Sequence, residues 1–385
     1  MRKIFLLAFV CMSCLVANSQ EGDLKISGYV QAQWVWDESG IESGDQNKFS
    51  VRRGRLKAAY SNKYGEAVMQ IDVTEEGVDI KDAYLKGKIP EIGWLAFRAG
   101  IFDRPFGAEI SYSSSRRESP ERSRIFQTLF PKERDLGAEI VLRGLEGSFL
   151  KDFTLNAGVF AGNGGQAKET DSGKDFIGHL AYRKQYKNMS FALGASLYYG
   201  GVRLAGVEGQ KAYKLRNKEF LEDNSLSLGD YANRHYFGFD AQYTLSSILG
   251  TTNLRGEYLW GTQPGSKNGS KSPTGAITTD IYSRNFSGYY IQLVQDIGKS
   301  KHSLVAKLDG YDPNTKLSKD GCLTIGDVSY TTVGLGWLFR INPNLRMTAY
   351  YEMTSNEKIK NDWMEDVYSR NVNDDVFTLR LQYKF

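Results

Sequence analysis

Three basic residues, Arg53, Arg55 and Lys57, stand at alternating positions near the start of the sequence. Alternate residues of a β-strand point to the same face, so a strand here would align three cations. Such a row attracts small anions by electrostatics alone, without any bond being made or broken. It is equally compatible with a solvated wall that carboxylates on the following segments would balance, namely Glu66, Asp72 and Asp82.

Residues for enzymatic chemistry are sparse. The chain has three histidines, His179, His235 and His302, and no Gly-x-Ser-x-Gly motif around a serine. His179 lies inside a predicted strand, where a polar wall residue is a better interpretation than a general base. Cys322 alone follows the predicted leader, so neither a disulfide nor a cysteine metal cluster is expected. The sequence therefore predicts no catalytic residues, no metal site and no cofactor.

The elements that would position the basic row alternate with period two. In the final segment, Phe377, Leu379 and Leu381 share one face, while Thr378 and Arg380 share the other. Segments of 9–13 residues match the length that a tilted strand needs to cross a bilayer. Sixteen such segments are predicted: 24–36, 49–60, 64–74, 80–88, 94–102, 136–144, 152–161, 175–184, 189–200, 234–245, 250–260, 286–297, 301–311, 327–339, 343–354 and 374–385.

The connections between these segments alternate in length. Those after even-numbered segments are short, such as 61–63 and 340–342, and those after odd-numbered segments are mostly long and polar, such as 37–48 and 201–233. Short turns on one side and long loops on the other are typical of bacterial outer-membrane barrels. A sheet can span a bilayer only if it closes. We therefore predict an all-β fold, a 16-stranded antiparallel transmembrane β-barrel.

Parity divides the strand residues between lipid and lumen, and the apolar parity must face lipid. The polar parity carries more basic than acidic residues, which predicts a mild anion preference. Its basic residues are Lys25, Arg53, Arg55, Lys57, Lys86, Arg98, Arg143, Arg183, Arg255, Lys307, Arg346, Arg380 and Lys384. Its acidic residues are Glu66, Asp72, Asp82, Glu139, Asp240, Glu257, Asp309 and Glu352. Arg52 has the opposite parity to Arg53 and is predicted at the rim or in a bulge.

The third long connection, 103–135, is too long for an ordinary surface loop. Ser119, Pro120 and Glu121 predict a helix start and Pro131 predicts its end, so we expect a short helix at 120–129. We predict that this third extracellular loop folds inward and narrows the pore; the alternative is an extracellular flap. Its basic residues are Arg104, Arg116, Arg117, Arg122, Arg124, Lys132 and Arg134, tempered by Asp103, Glu109, Glu118, Glu121 and Glu133.

The first residues predict an export signal. Arg2 and Lys3 precede the apolar run 4–16, and Ala17-Asn18-Ser19 supplies small residues for cleavage, so we assign 1–19 to a signal peptide and 20–385 to the barrel. Lipidation at Cys14 fits poorly because the apolar run continues past it. Without Arg2 and Lys3 the formal charge falls from +4 to +2, which argues against a nucleic-acid partner.

Several short stretches resemble the phosphate-selective porin O/P-like outer-membrane porins. They are Phe49-Ser50-Val51-Arg52-Arg53-Gly54-Arg55-Leu56, Asp82-Ala83-Tyr84-Leu85, Gly100-Ile101-Phe102, Pro105-Phe106-Gly107 with Glu109, Arg134-Asp135-Leu136-Gly137, Asn342-Pro343-Asn344-Leu345-Arg346 and Leu379-Arg380-Leu381-Gln382-Tyr383-Lys384-Phe385. The resemblance implies a sixteen-stranded barrel, usually trimeric, that is constricted by its third loop and leads anions past arginines. Arg52-Arg53 matches a basic pair of the family pattern.

The sequence thus favours an outer-membrane porin that forms a water-filled channel for small solutes, with a mild preference for phosphate-like anions. Its candidate pore-lining and anion-binding residues are Arg53, Arg55, Lys57, Arg98, Arg116, Arg117, Arg122 and Arg134. The expected partners are small anionic solutes, outer-membrane lipid and two further copies in a homotrimer. The alternatives are an outer-membrane barrel enzyme and a non-conducting structural or adhesive barrel.

Overall fold

The computed structural model describes residues 22–165, 167–205, 208–360 and 368–385. It contains the α-helix α1 (Arg124–Leu129), and short 3-10 turns lie at Glu38–Gly40, Pro90–Ile92, Lys319–Gly321 and Ile325–Asp327. The strands are β1 (Asp23–Asp37), β2 (Asn47–Asn62), β3 (Gly65–Thr74), β4 (Gly77–Lys88), β5 (Leu95–Asp103), β6 (Arg134–Arg143), β7 (Phe153–Phe160), β8 (Asp175–Gln185), β9 (Met189–Arg203), β10 (Ala212–Arg216), β11 (Glu219–Glu222), β12 (Tyr231–Ser247), β13 (Gly250–Gly265), β14 (Ile281–Asp296), β15 (His302–Asp312), β16 (Tyr330–Arg340), β17 (Leu345–Asn356) and β18 (Val376–Lys384).

Sixteen of these strands form one closed antiparallel barrel. Each pairs with its neighbour in sequence, except that β9 pairs with β12 across the β10–β11 hairpin. The ring closes because β1 pairs with both β2 and β18, with Tyr29 opposite Lys384 and Asp37 opposite Val376. Closure leaves the wall without a free strand edge, as a bilayer requires. The predicted sixteen-stranded barrel is confirmed, strand by strand.

The β10–β11 hairpin was not expected, since the connection 201–233 is predicted as a loop. It lies outside the wall ring and joins it through a short parallel pairing of β10 with β14, from Ala212 opposite Ile281 to Lys214 opposite Ser283. Ala212 and Ile281 are buried together with Val202, Leu204 and Ala232. This small apolar cluster explains why part of a long polar connection adopts strand structure.

The alternation of β18 separates a buried polar face from an exposed apolar one. Thr378, Arg380 and Gln382 are at most 5% exposed, whereas Leu379 and Leu381 are 38% and 46% exposed. A soluble protein buries its apolar parity, so this inversion is that of a wall with lipid outside and polar groups inside. We call the polar parity of the sixteen wall strands the polar face.

Two features of the chain bear on the membrane. In the described part of the chain, no helix is long and apolar enough to cross a membrane. The predicted signal peptide, 1–19, lies outside the described residues and stays a prediction.

Candidate functional site

A β-bulge places two consecutive arginines on the polar face. The pairing of β1 with β2 runs in register up to Gln31 opposite Arg53 and resumes with Ala32 opposite Val51, so Arg52 is the extra residue. A bulge bends the strand and re-aims the side chain of the inserted residue. Arg52 and Arg53 consequently bind the same carboxylate, that of Glu121. Of the two predicted places for Arg52, the rim and a bulge, the structure has the bulge.

The segment 104–133, which joins β5 to β6, is anchored to the polar face at its beginning. The Glu257 carboxylate accepts hydrogen bonds from the backbone N–H groups of Ala108 (3.1 Å) and Glu109 (2.5 Å). Gly107 has φ of +63°, and a Cβ at this position would lie 2.1 Å from Glu257 Oε2. Only glycine therefore fits here without displacing the anchor.

Glu109 continues the anchor to the helix. Its carboxylate accepts hydrogen bonds from Lys307 Nζ on β15 (3.1 Å) and from the backbone N–H of Ser123 (3.1 Å). Ser123 is the N-cap, and α1 begins at Arg124, so the predicted helix start at residue 120 is wrong. The hydroxyl of Ser119 donates to the carbonyl of Glu121 (2.8 Å) and stabilises a turn in place of a helix cap.

The other side of the segment is apolar. Phe106, Ile125, Phe126, Leu129 and Phe130 are at most 2% exposed. They form one cluster with aromatic residues on the polar face of β9, β12 and β14. The centroids of neighbouring aromatic rings in this cluster lie 5–7 Å apart. These partners include Tyr198, Tyr236, Phe286 and Tyr290. Aromatic packing of this kind holds the segment firmly against one side of the wall.

The opposite side of the segment carries Glu121 among four guanidinium groups, which we call the Glu121 cluster: Glu121, Arg52, Arg53, Arg117 and Arg380. Oε1 accepts from Arg52 Nε (2.9 Å) and Arg380 Nη2 (3.0 Å). Oε2 accepts from Arg52 Nη2 (2.9 Å) and Arg53 Nη2 (3.0 Å), with Arg117 Nη2 3.8 Å away. Four positive charges against one negative charge leave +3.

Burial raises the pKa of the Glu121 carboxyl, but the nearby guanidinium groups, led by Arg53, outweigh it and hold that pKa well below its usual value. Glu121 therefore remains ionised at neutral pH. Sequence analysis grouped Glu121 with the residues that temper positive charge. It gave no sign that arginines from β2 and β18 converge on this one carboxylate.

Arg134 has the inverse environment, which we call the Arg134 cluster: Arg134, Asp82, Asp103 and Glu133. Its guanidinium lies 3.0 Å from Asp82 Oδ1, 3.1 Å from Glu133 Oε2 and 3.7 Å from Asp103 Oδ1. Together with Arg122, which pairs with Glu133, two positive charges face three negative charges and leave −1. Arg134 therefore does not contribute a free cation to the polar face.

Other predicted residues are also paired. Arg55 Nε lies 3.2 Å from Asp72 Oδ2, and Arg98 Nη2 lies 2.8 Å from Glu139 Oε1. Arg122 pairs with Glu133 and donates to the backbone carbonyls of Glu109 and Ile110. The Arg55–Asp72 pair agrees with the alternative interpretation of the basic row, in which carboxylates on the following strands balance its charge.

The remaining candidates are less engaged. Among the described residues, no carboxylate lies within salt-bridge distance of Lys57, and the exposed Arg116 makes no side-chain bond. Arg117 is buried, and only its Nη2 donates a hydrogen bond, to the Pro120 carbonyl (3.1 Å). Its Nε and Nη1 are without a partner in the described chain. The eight predicted residues thus do not converge on one site; Arg53 and Arg117 belong to the Glu121 cluster.

Two observations concern the residues that could serve catalysis or metal binding. His179 Nε2 lies 2.8 Å from Asp240 Oδ2, and both occupy neighbouring polar-face positions on β8 and β12. No group of three or more histidine, cysteine or acidic side chains suited to a metal ion occurs among the described residues.

A closed barrel with an apolar exterior, a polar face and a segment bonded to that face defines an outer-membrane porin. The chain belongs to the phosphate-selective porin O and P family, whose sequence profile matches residues 36–385. The resemblance drawn from short motifs is thereby confirmed, as is the outer-membrane location. No curated protein matches the chain.

Solved structures share the fold at low sequence identity. An anion-selective porin from Comamonas acidovorans is 9% identical, with 95% of this chain and 100% of that chain covered and a TM-score of 0.58. The outer-membrane channel DcaP of Acinetobacter baumannii is 10% identical, with 96% and 99% covered and a TM-score of 0.57. OmpT of Vibrio cholerae in its trimer form is 10% identical, with 95% and 100% covered and a TM-score of 0.56.

Proposed function

We propose that the chain forms a water-filled pore for passive diffusion of small solutes, with a mild preference for phosphate-like and other small anions. The observation that carries this proposal is the Glu121 cluster, where four guanidinium groups face one carboxylate on the polar face. Such an excess raises the local concentration of anions without removing their hydration shell.

The segment 104–133 is proposed as the constriction of the pore. It bonds to Arg53 on β2, Glu257 on β13, Lys307 on β15 and Arg380 on β18, strands that lie along an arc from β13 through β18 and β1 to β2, about half of the ring. A segment that reaches polar-face residues on several sides leaves a narrower path for water and ions. This supports the predicted inward fold over an extracellular flap.

The balance of charge limits the preference. Arg55, Arg98, Arg122 and Arg134 are paired with carboxylates, so they add little net field. We therefore infer a bias toward anions and not strict phosphate specificity. The Comamonas acidovorans porin is itself described as anion-selective, which agrees with this inference.

Two further parts of the proposal concern assembly and catalysis. We infer a homotrimer surrounded by outer-membrane lipid, in line with the trimer form described for Vibrio cholerae OmpT. We infer no enzymatic activity, because the chain has no Gly-x-Ser-x-Gly motif and His179 is hydrogen-bonded to Asp240 on the wall. Hydrolysis of a lipid ester that is lost in His179→Ala would contradict this part of the proposal.

The central test is planar-bilayer conductance with reversal potentials in KCl and potassium phosphate gradients. The wild-type chain should conduct and show an anion-directed reversal potential at low salt. Replacing Arg53, Arg55 and Lys57 together by Gln should move the reversal potential toward cations and leave trimer yield unchanged. An unaltered selectivity would mean that these residues form a balanced structural wall. A wild-type chain without conductance would favour the non-conducting barrel.

A further inference from the structure

The Glu121 cluster is arranged for an anion with two oxygen atoms. Each carboxylate oxygen of Glu121 accepts two guanidinium N–H groups, four bonds of 2.9–3.0 Å in all. Arg52 contributes two of them as a fork, with Nε on one oxygen and Nη2 on the other. Paired N–H groups of one planar guanidinium match the spacing of carboxylate oxygens.

The cluster is also accessible and short of negative charge. The side chain of Glu121 is 25% exposed and that of Arg52 is 42% exposed, so the site borders solvent. Beside them, the side chain of Arg117 is 2% exposed, and its Nε and Nη1 lack partners within the described chain. A buried donor without a partner is unfavourable by about 1–3 kcal/mol. The site therefore has donors and positive charge beyond what Glu121 uses.

Neighbouring contacts hold the backbone at Glu121 in place independently of its carboxylate. Its backbone carbonyl accepts a bond from the Ser119 hydroxyl (2.8 Å), and Arg380 Nη1 donates to the Pro120 carbonyl (2.7 Å). These bonds fix the backbone of the turn beside β18. The carboxylate can then leave the guanidinium groups by rotation of its own side chain, without a change in the segment.

We propose that the Glu121 cluster is a binding site for the carboxylate of a small organic acid, and that Glu121 is a tethered occupant which such a solute replaces. The inference rests on the proposed pore and names its solute class. The four N–H groups converge on two oxygen positions, which a carboxylate fills completely. A tetrahedral phosphate would place two of its oxygens there and leave the others outside the fork.

The tethered carboxylate serves transport by exchange. While no solute is bound, Glu121 screens the arginines from one another and stabilises the bulge of β2. When an organic acid arrives, its carboxylate takes the four N–H groups as Glu121 swings away, so the arginines remain paired throughout. Exchange of one carboxylate for another keeps the site occupied and prevents a solute from being held too tightly to leave.

The test is chemical rescue of Glu121→Ala. This variant leaves a space the size of a carboxylate among the arginines, and its reversal potential in a KCl gradient should move toward anions relative to wild type. Acetate, added on both sides, should return the value toward wild type at a lower concentration than phosphate does. Acetate should also raise the thermal unfolding temperature of the purified variant in detergent.

Glu118→Ala is the matched control. It removes one carboxylate from the same segment, but Glu118 binds a single arginine, Arg255, at 2.6 Å, together with Gln292 and Tyr112. Acetate should have no stronger effect than phosphate on this variant. Arg52→Gln combined with Glu121→Ala should abolish the advantage of acetate, because the fork is lost.

The possible outcomes test the binding site, the solute class and the proposed selectivity separately. Equal responses of Glu121→Ala and Glu118→Ala to acetate would overturn the inference and leave Glu121 as an ordinary counterion. Rescue by phosphate at lower concentration than acetate would overturn the solute class. A wild-type pore without anion preference would refute the proposed selectivity, and the unfolding temperature with acetate would still report on the site. If Glu121→Ala does not fold, Glu121→Asp retracts the carboxylate by one methylene and should show a weaker response to acetate in the same direction.

Discussion

The Glu121 cluster and the Arg134 cluster are opposite in charge although both involve the segment 104–133 and its junction with β6. In the first, one carboxylate is surrounded by four guanidinium groups; in the second, one guanidinium is surrounded by three carboxylates. In the sequence, Glu121 is followed by Arg122 and Glu133 by Arg134, so local charge is balanced at both places. The sign of the net charge at each cluster is therefore determined by the wall strands that lie beside it.

Distant strands supply most of the partners. Arg380 is 259 residues from Glu121 and Asp82 is 52 residues from Arg134. Arg380 reaches the cluster only because β18 closes the ring beside β1 and β2. A list of basic residues in one segment therefore cannot rank them as anion sites, and a paired arginine contributes little field.

The largest effect is expected from breaking the Arg134 cluster. Arg134→Met leaves the carboxylates of Asp82, Glu133 and Asp103, which are 9–28% exposed, close together, although Glu133 keeps its pairing with Arg122. Loss of one partner of a fully buried cluster costs about 3–5 kcal/mol, which is the upper bound here. The guanidinium chloride midpoint of the purified barrel should fall accordingly. The double variant Arg134→Met/Glu133→Gln removes one of the repelling charges and should recover part of the loss. Equal midpoints for wild type and Arg134→Met would mean that the three carboxylates are protonated or solvated.

The strands of the barrel could be predicted from the sequence, whereas the partners in the two clusters could not. Period-two alternation and loop lengths predicted all sixteen wall strands, because lipid outside and polar groups inside impose a strict pattern on each strand. The parity rule also singled out Arg52 as a residue at the rim or in a bulge, and the structure has the bulge. The helix start at residue 120 was wrong because Ser119 caps a turn and Glu121 binds arginines of the wall. Pairings across the barrel depend on strand tilt and closure, which local spacing does not specify.

A smaller effect is expected from Arg52→Gln in the Glu121 cluster. The side chain is 42% exposed, and Arg53 and Arg380 still bind Glu121 without it, so the free energy of unfolding should fall by about 1 kcal/mol or less. Selectivity should respond more clearly, with a reversal potential displaced toward cations at 0.1 M KCl. At about 1 M KCl the Debye length is near 3 Å, and the displacement should largely disappear. A displacement that persists at high salt would indicate a direct contact between Arg52 and the permeating ion.

The smallest effect is expected from Arg116→Gln. Arg116 and Arg117 are both predicted anion-binding residues, yet the two differ in the structure: Arg117 is buried in the Glu121 cluster, and Arg116 is exposed. The backbone carbonyl of Arg116 accepts a bond from Arg346 Nη1 (3.2 Å), which the substitution preserves. An exposed side chain without such contacts contributes at most about 0.5 kcal/mol to stability. Its charge is screened by solvent on several sides, so the reversal potential at 0.1 M KCl should change by less than half as much as in Arg52→Gln. A change as large as that of Arg52→Gln would mean that ions pass closer to Arg116 than to the cluster, and the proposed path beside Glu121 would have to move.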